Sequence, residues 1–109
     1  MSKAQRNTIF VEDAAVLSHE RFDGDQYILR LAAPQCAARA RPGTFVHLRC
    51  DADIPMRRPL SIMRSNQQQG WIEVLYKIVG TGLRGLSRAK PGDKLNLMGP
   101  IGNGFSIDP

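Results

Sequence analysis

Cysteine, histidine and aromatic residues are scarce in this chain. It has two cysteines (Cys36, Cys50), two histidines (His19, His47), one tryptophan and two tyrosines, and aromatic residues make up 6%. Two cysteines cannot frame a disulfide scaffold or an all-cysteine zinc site. No pair among Cys36, Cys50, His19 and His47 has the close spacing that zinc sites use, so no metal is expected. A hydrolytic centre is equally hard to assemble, because Asp23, Asp25, Asp51, Asp53 and Asp93 fall in turn-like sequence. No catalytic residue is assigned. His47 reads as a surface or satisfied strand histidine, and Cys50 as core. Long apolar runs are missing too: nothing approaches the ~18 residues of a membrane helix. Met1 to Thr8 is polar, unlike a secretory leader. These absences predict no membrane partner and a cytoplasmic location.

What is present is an ordinary globular balance, 42% hydrophobic and 23% charged over 109 residues. That argues against disorder and fits one domain, 1–109. The formal charge is +5. It suits a nucleic-acid surface, an anionic ligand, or simply a soluble cationic exterior.

Strand signals dominate the chain. Thr8 to Val11 is β-branched and aromatic, with Ala14 to Leu17 in continuation. Tyr27, Leu29 and Leu31 alternate with Gln26, Ile28 and Arg30, the period of a half-buried strand. Phe45 to Cys50 and Arg58 to Met63 read as further strands. Pro59 predicts an edge position or an irregular start, because proline donates nothing to a ladder. Trp71 to Val79 is the most β-prone stretch. Leu95 and Leu97 open a last strand. Turn signals fall at Asp23-Gly24, Pro42-Gly43, Gln69-Gly70 and Pro91-Gly92, the last predicting a type II turn. Ala32 to Arg41 reads as an irregular link, and Leu83 to Ala89 as a helix of two turns at most. The expected class is all-β: a six-stranded antiparallel Greek-key barrel with one short helix near 83–89.

One constellation points to an anionic ligand. Arg58 offers a guanidinium fork that suits a pyrophosphate. Pro59 stiffens the strand, and Ser61 lies on the same pleat face. Gly80 and Gly82 flank Thr81 before a helix-like segment, where exposed N–H groups favour phosphate. Each signal alone is weak.

In order, they are specific. Arg58-Pro59-Leu60-Ser61-Ile62 resembles the Arg-x-x-Ser flavin signature of the ferredoxin-reductase superfamily. Pro42-Gly43-Thr44-Phe45-Val46 is similar to its Pro-Gly-Gln-Phe-Val segment, with threonine for glutamine. Three further segments resemble one branch, the electron-transfer subunits of type B dihydroorotate dehydrogenases. They are Leu75-Tyr76-Lys77-Ile78-Val79-Gly80-Thr81-Gly82 with Leu86-Ser87, Lys90-Pro91-Gly92-Asp93, and Leu97-Met98-Gly99-Pro100-Ile101-Gly102-Asn103-Gly104-Phe105. The likeness spans about residues 9 to 107.

The resemblance implies an FAD-binding barrel that relays electrons between a nicotinamide cofactor and an iron–sulfur or flavin partner. It implies that Arg58 pairs with the pyrophosphate, that Pro59 and Leu60 line the flavin, and that Ser61 bonds its ring or ribityl chain. Leu75, Tyr76 and Lys77 would serve the ring and ribityl region largely through backbone. Gly80, Thr81, Gly82 and Leu83 would meet the phosphates, with Leu83 standing where the family has threonine. The family continues into a nucleotide-binding domain and a cysteine-rich [2Fe–2S] segment, for which 109 residues leave no room. The chain is therefore expected to belong to an NAD(P)H/FAD-dependent oxidoreductase without completing turnover alone. Its expected partners are a nucleotide-binding domain or an oxidoreductase subunit, with self-association through Ile101, Phe105 and Ile107. Two other readings compete: an OB-like nucleic-acid barrel, disfavoured by the few aromatics, and a cofactor-free interaction domain.

Overall fold

The computed structural model describes residues 9–41, 43–51, 54–77 and 85–102. Within them the chain forms β1 (Phe10–Phe22), β2 (Gln26–Ala32), α1 (Pro34–Arg39), β3 (Phe45–Asp51), β4 (Ile54–Asn66), β5 (Trp71–Lys77), a 3-10 turn (Leu86–Arg88) and β6 (Lys94–Ile101). The strands close into a barrel in the order β1-β2-β5-β4-β3-β6. All six interfaces are antiparallel. Three successive strands, β3 to β5, lie side by side with β2 beside β5, which is the expected Greek key.

Alternation builds the interior. Leu29 and Leu31, Val46 and Leu48, Leu60 and Ile62, Ile72 and Val74 all point inward, joined by Val16 and Leu97. Their burial is the main stabilising term, since each large aliphatic side chain removed from water contributes about 1.5–3 kcal/mol. β1 serves two neighbours. Its first half pairs with β6 and its second with β2, and the register shifts between Val16 and Ser18. Such a bulge bends a strand, which a long strand needs in order to wrap a small barrel.

The turn signals hold where they are described. Gly24, Gly70 and Gly92 have φ of 78°, 75° and 97°. Positive φ at Gly92, with Asp93 N–H donating to the Lys90 carbonyl at 2.9 Å, gives the type II geometry expected of Pro91-Gly92. Gly43 is also left-handed, at φ 91°, while Pro42 lies outside the described residues.

Two expectations are corrected. The α-helix is Pro34–Arg39, inside the stretch read as an irregular link. Pro34 sits in its first turn, where the missing N–H costs nothing. Glu12 accepts the Cys36 N–H at 2.9 Å, and Cys36 and Ala37 are buried. Six residues are too few to leave a clear 3.6-residue period. The helix expected near 83–89 is, in its described part, the 3-10 turn, which buries Leu86 completely. Pro59 stands in the wall of the closed barrel, opposite His47, at a point where the described residues pair it on the β3 side.

Close packing also fixes Gly99. A Cβ there would lie 2.9 Å from Val46 Cγ1 and 3.3 Å from the Phe45 carbonyl oxygen. Gly99→Ala is therefore expected to lower unfolding free energy by about 1–3 kcal/mol, the usual cost of overpacking. Adding Val46→Ala should recover part of that loss, because the two changes share one contact. Urea unfolding of the two single variants and the double variant checks both statements; simple additivity would remove the clash as the cause.

Candidate functional site

The β4–β5 ladder is short. It pairs Ile62 with Val74, then Arg64, Ser65 and Asn66 with Glu73, Ile72 and Trp71. Among the described residues the pairing towards the start of β4 continues on the β3 side: Ser61, Leu60, Pro59 and Arg58 pair with Phe45, Val46, His47 and Leu48. The Ile62 N–H donates to the Thr44 carbonyl at 3.0 Å, on the β3 side. Alternation then turns the nitrogens of Ser61 and Pro59 towards β5, beyond the end of that ladder. This explains how an interior strand tolerates Pro59: its nitrogen points where no ladder partner stands. It also presents the Ser61 N–H at the same place.

The surroundings are apolar and cationic. Pro59 and Ser61 are exposed on the outer face, with Met63 following at 39% exposure. Leu75 is 44% exposed on β5, and Lys77 is exposed two residues on. On the β3 flank the rings of Phe45 and His47 stack with centroids 5.6 Å apart. Arg58 is exposed, and among the described residues neither it nor Lys77 has a carboxylate partner.

The carboxylate that might have competed is occupied. Glu73 is 4% exposed. One of its oxygens accepts Arg30 Nε at 2.9 Å, and the other accepts Arg64 Nε at 2.8 Å. Arg30 also lies over the Trp71 ring, 3.9 Å from its centroid. The sequence reading missed this cluster. Its signal was present, since Arg30 and Arg64 are both register partners of Glu73.

Of the residues expected at the site, Pro59, Ser61, Leu75 and Lys77 are exposed on the outer face, while Arg58 is exposed near the start of β4 on the same pleat side as Leu60. Leu60 and Tyr76 are buried, at 7% and 4% exposure, so they can offer a surface ligand only their backbone. Gly80, Thr81, Gly82 and Leu83 lie outside the described residues. Thr44, which stands where the resembling segment has glutamine, is buried and closes its own turn. Its hydroxyl donates to the Arg41 carbonyl at 2.6 Å.

The thiols take no part. Burial, with Glu12 adding to it, pushes the Cys36 thiol up to about 12, so it stays protonated and inert. Among the described residues no cluster of three potential metal ligands forms.

The donor set fits a ligand with a flat apolar ring and an anionic tail. Comparison with known proteins agrees. A family model for the oxidoreductase FAD-binding domain matches residues 11–105. The electron transfer subunit of dihydroorotate dehydrogenase B (NAD(+)) from Desulforamulus reducens is 41% identical over 99 residues, covering 89% of this chain and 38% of the relative. The corresponding subunit from Geobacillus thermodenitrificans is 34% identical, with the same coverage. The chain thus spans less than half the length of these relatives. Among solved structures, an NADH-dependent reduced ferredoxin-NADP oxidoreductase superposes with a TM-score of 0.79 at 26% identity, covering 85% of this chain and 34% of that one. A ferredoxin reductase of carbazole 1,9a-dioxygenase gives 0.72 at 25%, covering 86% and 30%. The family match over residues 11–105, with relatives 41% and 34% identical across most of the chain, places it in the oxidoreductase FAD-binding domain family.

Proposed function

We propose that this chain is the flavin-holding barrel of a dihydroorotate dehydrogenase B-type electron transfer subunit. In this reading electrons pass from a nicotinamide cofactor, through FAD on the barrel, to an iron–sulfur or flavin group on a partner. The observations that carry it are the exposed Arg58, without a carboxylate partner among the described residues, and the exposed Ser61 and Leu75 near the end of the described β4–β5 ladder. The family adds the cofactor's identity.

FAD, when bound, supplies the redox chemistry, and the protein binds, orients and tunes it. Arg58 neutralises the pyrophosphate, and its planar fork suits two phosphate oxygens. The Ser61 hydroxyl and N–H serve the polar edge of the ring or the ribityl chain. Pro59 and Leu75 give apolar contact, and the backbone of Leu60, Tyr76 and Lys77 lines the rest. Gly80, Thr81, Gly82 and Leu83 complete the phosphate contacts through backbone N–H groups. Leu83 has no hydroxyl to give, which places more of the phosphate binding on Arg58. Hydride delivery from the nicotinamide and the onward relay belong to the nucleotide-binding and partner parts of the complete assembly.

The nucleic-acid reading has little to stand on. Stacking platforms need aromatic rings spread over one exposed face. Here Tyr27 and Tyr76 stack on each other, and Trp71 is covered by Arg30.

Two substitutions test the cofactor reading. Arg58→Ala removes a charge-assisted bond worth roughly 1.5–3 kcal/mol, so FAD should bind about ten- to a hundredfold more weakly. A flavin fluorescence titration giving equal curves for variant and parent would take Arg58 out of the site. Leu75→Asp replaces an exposed apolar contact by a like-charged neighbour for the phosphates. It should abolish measurable FAD uptake while leaving the thermal midpoint within a few degrees, as is usual for exposed positions. Unchanged uptake would move the ring away from β5.

A further inference from the structure

His19 lies at the end of the barrel where β5 stops, and its two ring nitrogens hold two different parts of the chain. Nδ1 is 2.8 Å from the Ala89 carbonyl, just after the 3-10 turn. Nε2 is 2.6 Å from the Tyr76 hydroxyl, one residue before β5 ends. A carbonyl only accepts, so Nδ1 carries the hydrogen. In the neutral ring Nε2 then accepts from the Tyr76 O–H. Burial, with Tyr27 and Cys50 adding to it, raises the Tyr76 phenol, which keeps that hydrogen in place. The Tyr76 ring is fixed in turn by stacking on Tyr27, with centroids 5.1 Å apart and planes 10° from parallel. Tyr27 and His19 are also in ring contact at 5.3 Å.

Neither bond serves the β-ladder around His19, whose own register partner is Leu29 of β2. The imidazole instead spans from β1 to two points twelve or more residues of sequence apart, one on the strand that carries Leu75 and Lys77. Leu86, in the turn just before Ala89, is completely buried. An apolar plug and an imidazole bond thus both help to hold the turn.

We propose that His19 is a positioning residue for the cofactor, fixing the end of β5 and the Leu86–Arg88 turn relative to one another before any ligand arrives. The inference rests on the FAD reading above. A ligand that meets a pre-set strand end is spared the free energy of ordering it, which is the general gain from preorganisation. The chain between the two anchors also carries Gly80, Thr81, Gly82 and Leu83, assigned to the phosphates from sequence. No contact of theirs is needed for the argument. Tyr76 has a part that its burial alone does not suggest: its hydroxyl acts through His19, while its neighbours Leu75 and Lys77 face the ligand.

The test uses three variants of the 109-residue chain: His19→Leu, Tyr76→Phe and the two combined. Tyr76→Phe keeps the ring stack and removes one oxygen, so it folds even where His19→Leu does not. Two quantities are read: amide hydrogen exchange at residues 85–89 without FAD, and the FAD dissociation constant at one salt concentration. Losing one or two such bonds should raise exchange and weaken FAD binding about tenfold, with thermal midpoints kept within a few degrees. The combined variant should be no weaker than His19→Leu alone, because the Tyr76 hydroxyl acts only through the imidazole. Additive losses, or faster exchange with unchanged FAD affinity in both single variants, would overturn the proposal. A parent chain that takes up no FAD overturns the cofactor reading and this proposal together. A parent that binds, with variants that bind equally well, overturns this proposal alone.

Discussion

Everything distinctive about this barrel follows from where the β4–β5 ladder stops. A closed sheet normally satisfies each strand on both sides. Here, among the described residues, β4 runs towards its start beyond Ile62 with β3 as its one ladder neighbour. The same interruption accommodates Pro59 in an interior strand, turns the Ser61 N–H outward along the seam, and leaves Leu75 and Lys77 facing it. A ladder continued to Lys77 would conflict with Pro59, which has no hydrogen to give it. The proline thus suits the place where the described β4–β5 ladder ends.

The opening needs a stiff frame. Below it, Arg30, Glu73 and Arg64 join β2, β5 and β4 through one buried carboxylate. Both arginines are partly exposed, so the cluster adds less stability than a fully buried network would. Its value is in register, since one side chain fixes three adjacent strands just before two of them part. On the other outer flank, Arg57 reaches across to Asn96 of β6, and Asn96 bonds Asp13 of β1 at 3.2 Å. That row ties β4 to the rest of the wall from the β3 side. Arg57 and Arg58 are neighbours in sequence with different surroundings: the first bonds Asn96, and the second is exposed with no carboxylate partner among the described residues.

Much of the fold was legible because its signals were local. Period-two alternation exposed the strands, and glycine at φ > 0 marked Gly24, Gly70 and Gly92. The short helix was not legible. Pro34-Gln35-Cys36-Ala37 has no periodic stripe, and its N-terminal partner, Glu12, lies 24 residues away. The place of Pro59 within a closed wall was not legible from β4 alone. The edge rule is about which neighbour a nitrogen faces, and that is decided by where β5 ends rather than by β4's own sequence. Arg58, Ser61, Leu75 and Lys77 are exposed. The inward turn of Leu60 and Tyr76 follows from alternation, had the strand been phased from Ile62 and Val74. His19 had no sequence signal at all. Its partners are 57 and 70 residues away, and only closure of the barrel brings them together.

β5 shows how one strand can serve core and ligand at once. Val74 and Tyr76 face in, and Leu75 and Lys77 face out. Because the period is two, neither set can move without the other. A shift of one residue would bury Lys77 and expose Val74 and Tyr76, which the barrel could not sustain. The hydrophobic core therefore sets the height at which the outward groups stand along the seam. Tyr76 strengthens that coupling, since its ring is stacked on Tyr27 and its hydroxyl is held by His19. The outward face of β5 is thus placed from inside the barrel, by residues that a surface ligand does not touch.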